Sequence, residues 1–272
     1  MQGAGDGRAA MLGSGVLEPG ESYICLGTSS WFTQATLSRD IDKTYGLCKV
    51  VSLKKGVLVN SGTMQGGGLC LGWFQDKLCE PETRAAAQMG VSPFVLIDKL
   101  AEKSPPGSRG VMFLPYLMGE RAPYFDSVAK GCFLGLKMKN DRSDMARAVL
   151  EGVAMHLAVI MRRVNAMEPV SQVRIVGGGA KSMLWRQIIA DVFGLPIIKT
   201  NIDSSAGSLG TAVLAGVGAG IYPDLSVVKD FHKLEDIREP NAANTALYND
   251  LIPIFEKAYY TLKEINADLE AF

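Results

Sequence analysis

The stretch Val173-Arg-Ile-Val-Gly-Gly-Gly-Ala-Lys-Ser-Met-Leu-Trp-Arg-Gln-Ile-Ile-Ala-Asp-Val-Phe-Gly194 decides how the chain is read. Val173 to Val176 is a short apolar run of strand length, and it passes directly into Gly177-Gly178-Gly179. Leu184 to Phe193 then has helical periodicity, and Gly194-Leu195-Pro196 stops it. A strand that turns through glycines into a helix is the unit of an α/β fold. Its glycines let backbone N–H groups approach an anion at a helix start.

Two further glycine clusters sit at element ends: Leu26-Gly27-Thr28-Ser29-Ser30 and Gly66-Gly67-Gly68. Glycine also caps and turns, so one cluster says little, but three at element ends favour a nucleotide. The common nucleotide motifs are absent. Ser182 stands where the last glycine of a dinucleotide fingerprint would fall, which argues against a dehydrogenase. Lys181-Ser182 mimics the end of a P-loop, yet Ala180 and Ile175 replace its required glycines.

Outward from these clusters, strands and helices alternate. Strands are expected at Tyr23–Gly27, Phe32–Leu37, Cys48–Leu53, Val57–Asn60, Val111–Leu114, Gly131–Leu136 and Ile197–Lys199. Lys54-Lys55-Gly56 reads as a hairpin turn. Helices are expected at Met64–Leu78, Pro81–Met89, Pro93–Lys103, Leu209–Ala219 and Ala246–Leu269. The longest, Asp141–Met167, has Ser143 as its expected N-cap and an apolar face running from Met145 to Val164. The pattern is one α/β domain with a strand-rich start.

Composition fits an ordinary globular chain: 272 residues, 47% hydrophobic and 21% charged. A chain of this size buries roughly three quarters of its unfolded surface and needs no staples. Twenty-eight basic residues balance 28 acidic ones, which argues against nucleic acid or a membrane surface as a partner. The five cysteines, Cys25, Cys48, Cys70, Cys79 and Cys132, show no C-x-x-C spacing and read as reduced cytoplasmic thiols. No signal peptide or 18-residue apolar span is evident. No His, Cys or carboxylate set has metal-ligand spacing.

Asp6, inside Gly3-Ala-Gly-Asp-Gly7, reads by residue type as an Asx-turn. Glu120 and Arg121 suit a salt bridge that holds their loop. Glu151 reads as structural, His156 as a core histidine on an apolar face, and His232 has no companion. The twelve methionines read as core filler.

Five ordered segments resemble the C-terminal half of the FGGY carbohydrate kinases, most closely the xylulokinase-like branch. GAGDGRAA (3–10) with SYICLGTSSW (22–31) is similar to the catalytic segment and second phosphate loop. FLPYLMGERAPYFD (113–126) resembles the Gly-Glu-Arg-x-Pro loop, and GCFLGLKMKNDRSDMARAVLEG (131–152) the signature segment. VGGGAKSMLWRQIIADVFGLPI (176–197) resembles the adenosine segment, and AGSLGTAVLAGVGAG (206–220) the helix after it.

The resemblance implies a ribonuclease H-like domain of the actin, Hsp70 and sugar-kinase superfamily, a mixed sheet flanked by helices. It implies that residues 1–272 are the C-terminal ATP-binding domain of a cytoplasmic sugar kinase. ATP and Mg²⁺ would be the cofactors and a ketose or polyol, xylulose foremost, the substrate. Asp6 becomes the catalytic base; Gly27 and Thr28 meet the β- and γ-phosphates; Gly68 lies beside the nucleotide; Gly178 and Gly179 lie against the adenosine. The family's first phosphate loop, Asp-x-Gly-Thr, does not occur here. The expectation is therefore a half-enzyme, inactive alone, whose N-terminal sugar-binding domain is a missing partner. Apolar surface meant for that domain would favour self-association, a homodimer being the simplest form. The alternative is a non-catalytic nucleotide-binding or interaction module. Two positions depart from the family: Gly7 replaces the Asn usual in xylulokinases, and Ser204-Ser205 stands where an acidic residue is common.

Overall fold

The computed structural model describes residues 3–40 and 46–272. Alternating apolar residues give its central strands two faces, and each face recruits its own helices. The strands are β1 (Ser22–Leu26), β2 (Ser30–Thr36), β3 (Cys48–Val51), β4 (Leu58–Met64), β5 (Met112–Leu114), β6 (Cys132–Leu134), β7 (Val173–Val176), β8 (Ile197–Thr200) and β9 (Leu234–Arg238). The helices are α1 (Asp6–Gly13), α2 (Gly68–Leu78), α3 (Glu80–Met89), α4 (Pro93–Ala101), α5 (Arg142–Met167), α6 (Met183–Phe193), α7 (Ala206–Gly218) and α8 (Ala242–Asp268).

Seven strands pair in the order β3-β4-β2-β1-β7-β8-β9. β1 runs parallel to β7, and β7 to β8, while the other neighbours are antiparallel. This is the expected mixed sheet. β5 and β6 form a ladder of their own, with the Phe113 and Phe133 rings 4.6 Å apart. The turn between β3 and β4 falls at Lys54-Lys55-Gly56 as anticipated, with Val57 N–H donating to Lys54 O at 3.2 Å.

Ile24, Leu26, Phe32 and Ile175 point to the face packed by α5 and α6, in one continuous core with Val149, Val153, Ile160 and Trp185. The approach of α5 is close: a Cβ on Gly62 of β4 would stand 2.4 Å from Ile160 Cγ2. Tyr23, Ala35 and Val176 point the other way and meet Met11 of α1 and Ala206 of α7. Those two helices nearly touch. A Cβ on Gly13 would lie 1.7 Å from Ala206 O, and one on Gly210 would lie 1.9 Å from Ala9 O.

The N-cap of α5 lies two residues before the expected Ser143. It is Asp141, whose carboxylate accepts the Ser143 N–H at 2.7 Å, and Asp144 completes a capping box. Asp offers a stronger acceptor than the Ser143 hydroxyl, and these hydrogen bonds hold its pKa below the usual range. Met64, expected to open a helix, ends β4 instead; the helix waits until Gly68. Glu151 is structural, as its placement on α5 suggested. It accepts from Arg147 Nε at 2.7 Å, Gly107 N–H at 2.9 Å, the Ser108 hydroxyl at 2.8 Å and the Tyr248 hydroxyl at 2.6 Å. It thereby ties the Ser104–Gly110 loop and α8 to α5. All five cysteines are free thiols, with Cys48 exposed on the edge strand β3. Among the described residues, no helix is long and apolar enough to cross a membrane.

Candidate functional site

Three of the glycine segments, separated by up to 152 positions, converge on one cavity of about 1020 Å³. Gly27, Thr28, Gly68, Gly178 and Gly179 all line it. β1 supplies the first pair: it ends at Leu26, and the turn 27–29 leads into β2. That turn is clamped by the start of α2. Gly68 N–H donates to Gly27 O at 2.6 Å, and Leu69 N–H to Thr28 O at 3.1 Å. The Gly68 amide is thus spent on the turn and is an anchor. A side chain there would not fit, since a Cβ would lie 2.7 Å from Gly27 O. Because N–H and C=O point opposite ways across a trans peptide, the Thr28 and Ser29 amides face away from α2.

The third segment forms a single 3₁₀ turn, Gly178–Lys181, between β7 and α6. Gly177 is the conformationally demanding residue, with φ +96° and a hypothetical Cβ 2.6 Å from Leu26 O. Gly179 is required by packing, because a Cβ there would press 2.6 Å from Leu26 Cδ2. Gly178 meets nothing within 4 Å of that position and offers bare backbone to the cavity. Ser182 caps α6 by accepting the Trp185 N–H at 3.0 Å.

Sequence reasoning missed the rest of the wall. Leu71, Gly72, Trp73 and Asp76 come from α2, and Ser92, Phe94, Val95 and Asp98 from α4 or its N-terminal edge. These lie on helices without a recognisable motif. The one signal was the apolar content of α4, where Phe94 and Val95 remain exposed.

Asp6 stands apart from this group. It is the first residue of α1, exposed, and does not line the cavity. Its Oδ1 accepts the Gly7 N–H at 2.8 Å. The first turn of α1 sits beside β1 through a 3.4 Å contact from the Tyr23 hydroxyl to Gly7 O.

Glu120 and Arg121 do not pair with each other through their side chains. Buried Glu120 accepts backbone N–H groups of Gln65 at 2.6 Å and Arg121 at 2.7 Å, while Arg121 Nε donates to the Gln65 side chain. Burial pushes the Glu120 carboxyl up to about 8. His156 is the core histidine that its position suggested. Burial lowers its pKa to about 4, so it is neutral. Its Nε2 donates to Ala122 O at 2.9 Å and Nδ1 accepts from the Tyr116 hydroxyl at 3.1 Å. The 3.4 Å approach of His156 to Glu120 is therefore not an ion pair at neutral pH. His232 does have a companion, the Thr200 hydroxyl at 3.0 Å from its Nδ1. Among the described residues, no three His, Cys, Asp or Glu side chains gather as a metal site.

Comparison with known proteins bears on this arrangement. Residues 22–219 match the FGGY family of carbohydrate kinases, C-terminal domain. A gluconokinase from Bacillus licheniformis is 31% identical over 255 residues, covering 93% of this chain and 49% of that protein. A xylulose kinase from Staphylococcus epidermidis is 31% identical over 271 residues, covering 98% and 52%. The crystal structure of gluconate kinase from Lactobacillus acidophilus superposes with a TM-score of 0.86 at 27% identity, covering 98% of this chain and 52% of that one. The chain spans about half the length of the curated relatives it matches.

Proposed function

Because the chain belongs to the FGGY family of carbohydrate kinases, as its C-terminal domain, we propose that it is the ATP-binding half of a two-domain kinase that phosphorylates a sugar hydroxyl. The observation that carries this reading is the convergence of Gly27, Thr28, Gly68, Gly178 and Gly179 on one cavity. Its volume, about 1020 Å³, accommodates a nucleoside triphosphate. The bare backbone at Gly178 suits close approach of a ribose or base. The gluconokinase and the xylulose kinase are equally similar at 31% identity. We take the acceptor to be a ketose, polyol or sugar acid, with xylulose and gluconate the two candidates. The other half of the relatives' length would supply the sugar site.

Phosphoryl transfer needs positioning and charge neutralisation more than covalent chemistry. In this reading the Thr28 hydroxyl and the amides of its turn hold the terminal phosphates. The Gly178–Gly179 backbone holds the nucleoside. Mg²⁺ bound with the phosphates would neutralise charge, and phosphates and water would supply most of its ligands. Asp6 takes the proton of the attacking hydroxyl. Asp6 lies outside the cavity wall, so the sugar-bearing half would have to present the acceptor hydroxyl between Asp6 and the terminal phosphate. That arrangement fits a kinase whose active site is completed at the junction of two domains.

The test is reconstitution. The chain alone is expected to bind ATP weakly and to release no sugar-dependent ADP. Adding a separately made N-terminal half of an FGGY kinase should restore turnover with xylulose or gluconate, and Asp6→Asn should abolish it. A complex that forms without activity would instead favour a nucleotide-binding module.

A further inference from the structure

The last helix, α8, carries more apolar surface than its seat on the domain uses. Tyr248, Ile252, Phe255 and Tyr259 are buried and hold it against α5 and α6. A second apolar row follows at spacings of three and four: Leu251, Ile254, Ala258, Leu262, Ile265 and Leu269. With about 3.6 residues per turn, this row keeps within an arc of about 80°, roughly a quarter turn from the buried face. Leu251, Ala258 and Leu262 are half-buried at the edge of the core. Ile254, Ile265 and Leu269 remain 54%, 51% and 52% exposed. Three-and-four spacing is the seam along which one helix packs on another. Pro253 lies outside the row, and all of the row but Leu251 follows it, so a kink at the proline leaves the seam continuous.

We propose that this row joins two copies of the chain, α8 packing antiparallel on α8 about a twofold axis. The charges beside the row name the occupant. Asp250, Lys257 and Glu264 recur every seven residues along its solvent edge, and all three are exposed. Charges at such positions set the partner and orientation of paired helices. In an antiparallel pair each meets the same edge of the other helix, running in reverse. Lys257 then meets Glu264 of the second copy, and symmetry makes the contact twice. That match sets the register. It places Ile265 of one copy between Ile254 and Ala258 of the other, where the small Ala258 admits close approach. Leu269 falls beside Leu251, and Asp250 falls opposite Ala271, away from another acid. The sugar-bearing half is a poor occupant, because it must reach Asp6. α1 and α7 pack on one face of the sheet, and α8 lies behind α5 and α6 on the other. The charge match holds whatever Asp6 does.

The experiment is sedimentation equilibrium of the full chain over a range of loading concentrations. The average mass should climb toward twice that of the chain as concentration rises. Ile265→Asp puts a charge in the seam and should weaken association by about tenfold or more. Lys257→Glu and Glu264→Lys each set like charges against each other at both symmetric contacts, and each should weaken it by about tenfold. The double variant restores opposite charges and should return to within about threefold of the unaltered chain. All three side chains are exposed, so circular dichroism should report an unchanged fold in every variant. A chain that stays monomeric at every concentration overturns the proposal. So does a dimer indifferent to all three positions, which would pair through another face. A double variant no stronger than the singles overturns the antiparallel register and the proposal with it. Repeating the run with a separately made N-terminal half tests the other occupant. Complexes of one half with one chain, with the dimer lost, would assign the row to that half and sink the proposal.

Discussion

Gly210→Ala tests whether α1 is seated on α7 as closely as the structure describes. The added methyl would lie 1.9 Å from Ala9 O and 2.9 Å from Gly13 N. An acceptable C···O contact is about 3.3 Å, so the two helices would have to part by roughly 1.4 Å there. The obstacle is backbone, which no rotamer change can relieve. The cost therefore lies near the upper end of the overpacking range, about 3 kcal/mol. Ala regains ~1 kcal/mol over Gly in a helix interior. The net loss is about 2 kcal/mol, a midpoint about 0.7 M lower in urea for an m-value near 3 kcal/mol/M. Gly207→Ala is the control on the same helix: its Cβ would meet nothing within 4 Å. That variant should be neutral or gain less than ~1 kcal/mol. Denaturation followed by circular dichroism compares the two. If Gly210→Ala is as stable as Gly207→Ala, the close docking of α1 is refuted, and with it the fixed placement of Asp6 at the helix start.

Two further outcomes are expected. Glu120 has its folded pKa raised from 4.5 to about 8, and His156 has its own lowered from 6.5 to about 4. The unfolded chain releases the Glu120 proton first, so that contribution is full below the unfolded pKa and is lost as pH rises to about 8; the His156 contribution is lost as pH falls from 6.5 to about 4. The two oppose each other between 4.5 and 6.5, leaving a decline from Glu120 alone between 6.5 and about 8. Glu120→Gln should flatten that decline in denaturation midpoints taken from pH 6.5 to 8, and an unchanged slope would refute the assignment. Glu151→Ala strands the buried Arg147 guanidinium and three other donors. It should cost ~3–5 kcal/mol in denaturation midpoints, whereas a loss under 1 kcal/mol would mean that water replaces the carboxylate.

Much of this was legible because the decisive residues act through backbone geometry. Val173–Val176 was placed without error, and the long helices were found to within a few residues, since their apolar periodicity is sustained. The glycine clusters were legible because close backbone approach, such as Gly68 against Gly27 O, excludes every other residue type. What escaped notice depended on partners. α1 is an eight-residue helix in a glycine-rich run and owes its existence to docking on α7. β9, Leu-Glu-Asp-Ile-Arg, is an edge strand with both faces largely solvated, so it shows little apolar alternation. Asp98 drew no notice because a lone carboxylate on a short helix looks like surface until the cavity beside it is known.

The clamp between the 27–28 turn and the start of α2 has an entropic consequence. Glycine-bearing loops that bind phosphates often order only when the ligand arrives, and that ordering weakens binding by about 1–2 kcal/mol per residue fixed. Here Gly68 and Leu69 already hold the Gly27 and Thr28 carbonyls, at 2.6 and 3.1 Å. Gly27 and Thr28 are thereby held by the fold itself, with no ligand present. Glu120 extends the same restraint by holding the Gln65 amide three residues before Gly68. The turn, the helix start and the Glu-Arg loop thus form one connected frame. A substitution at Glu120 is therefore linked to Thr28 through backbone hydrogen bonds at Gln65, Gly68 and Leu69.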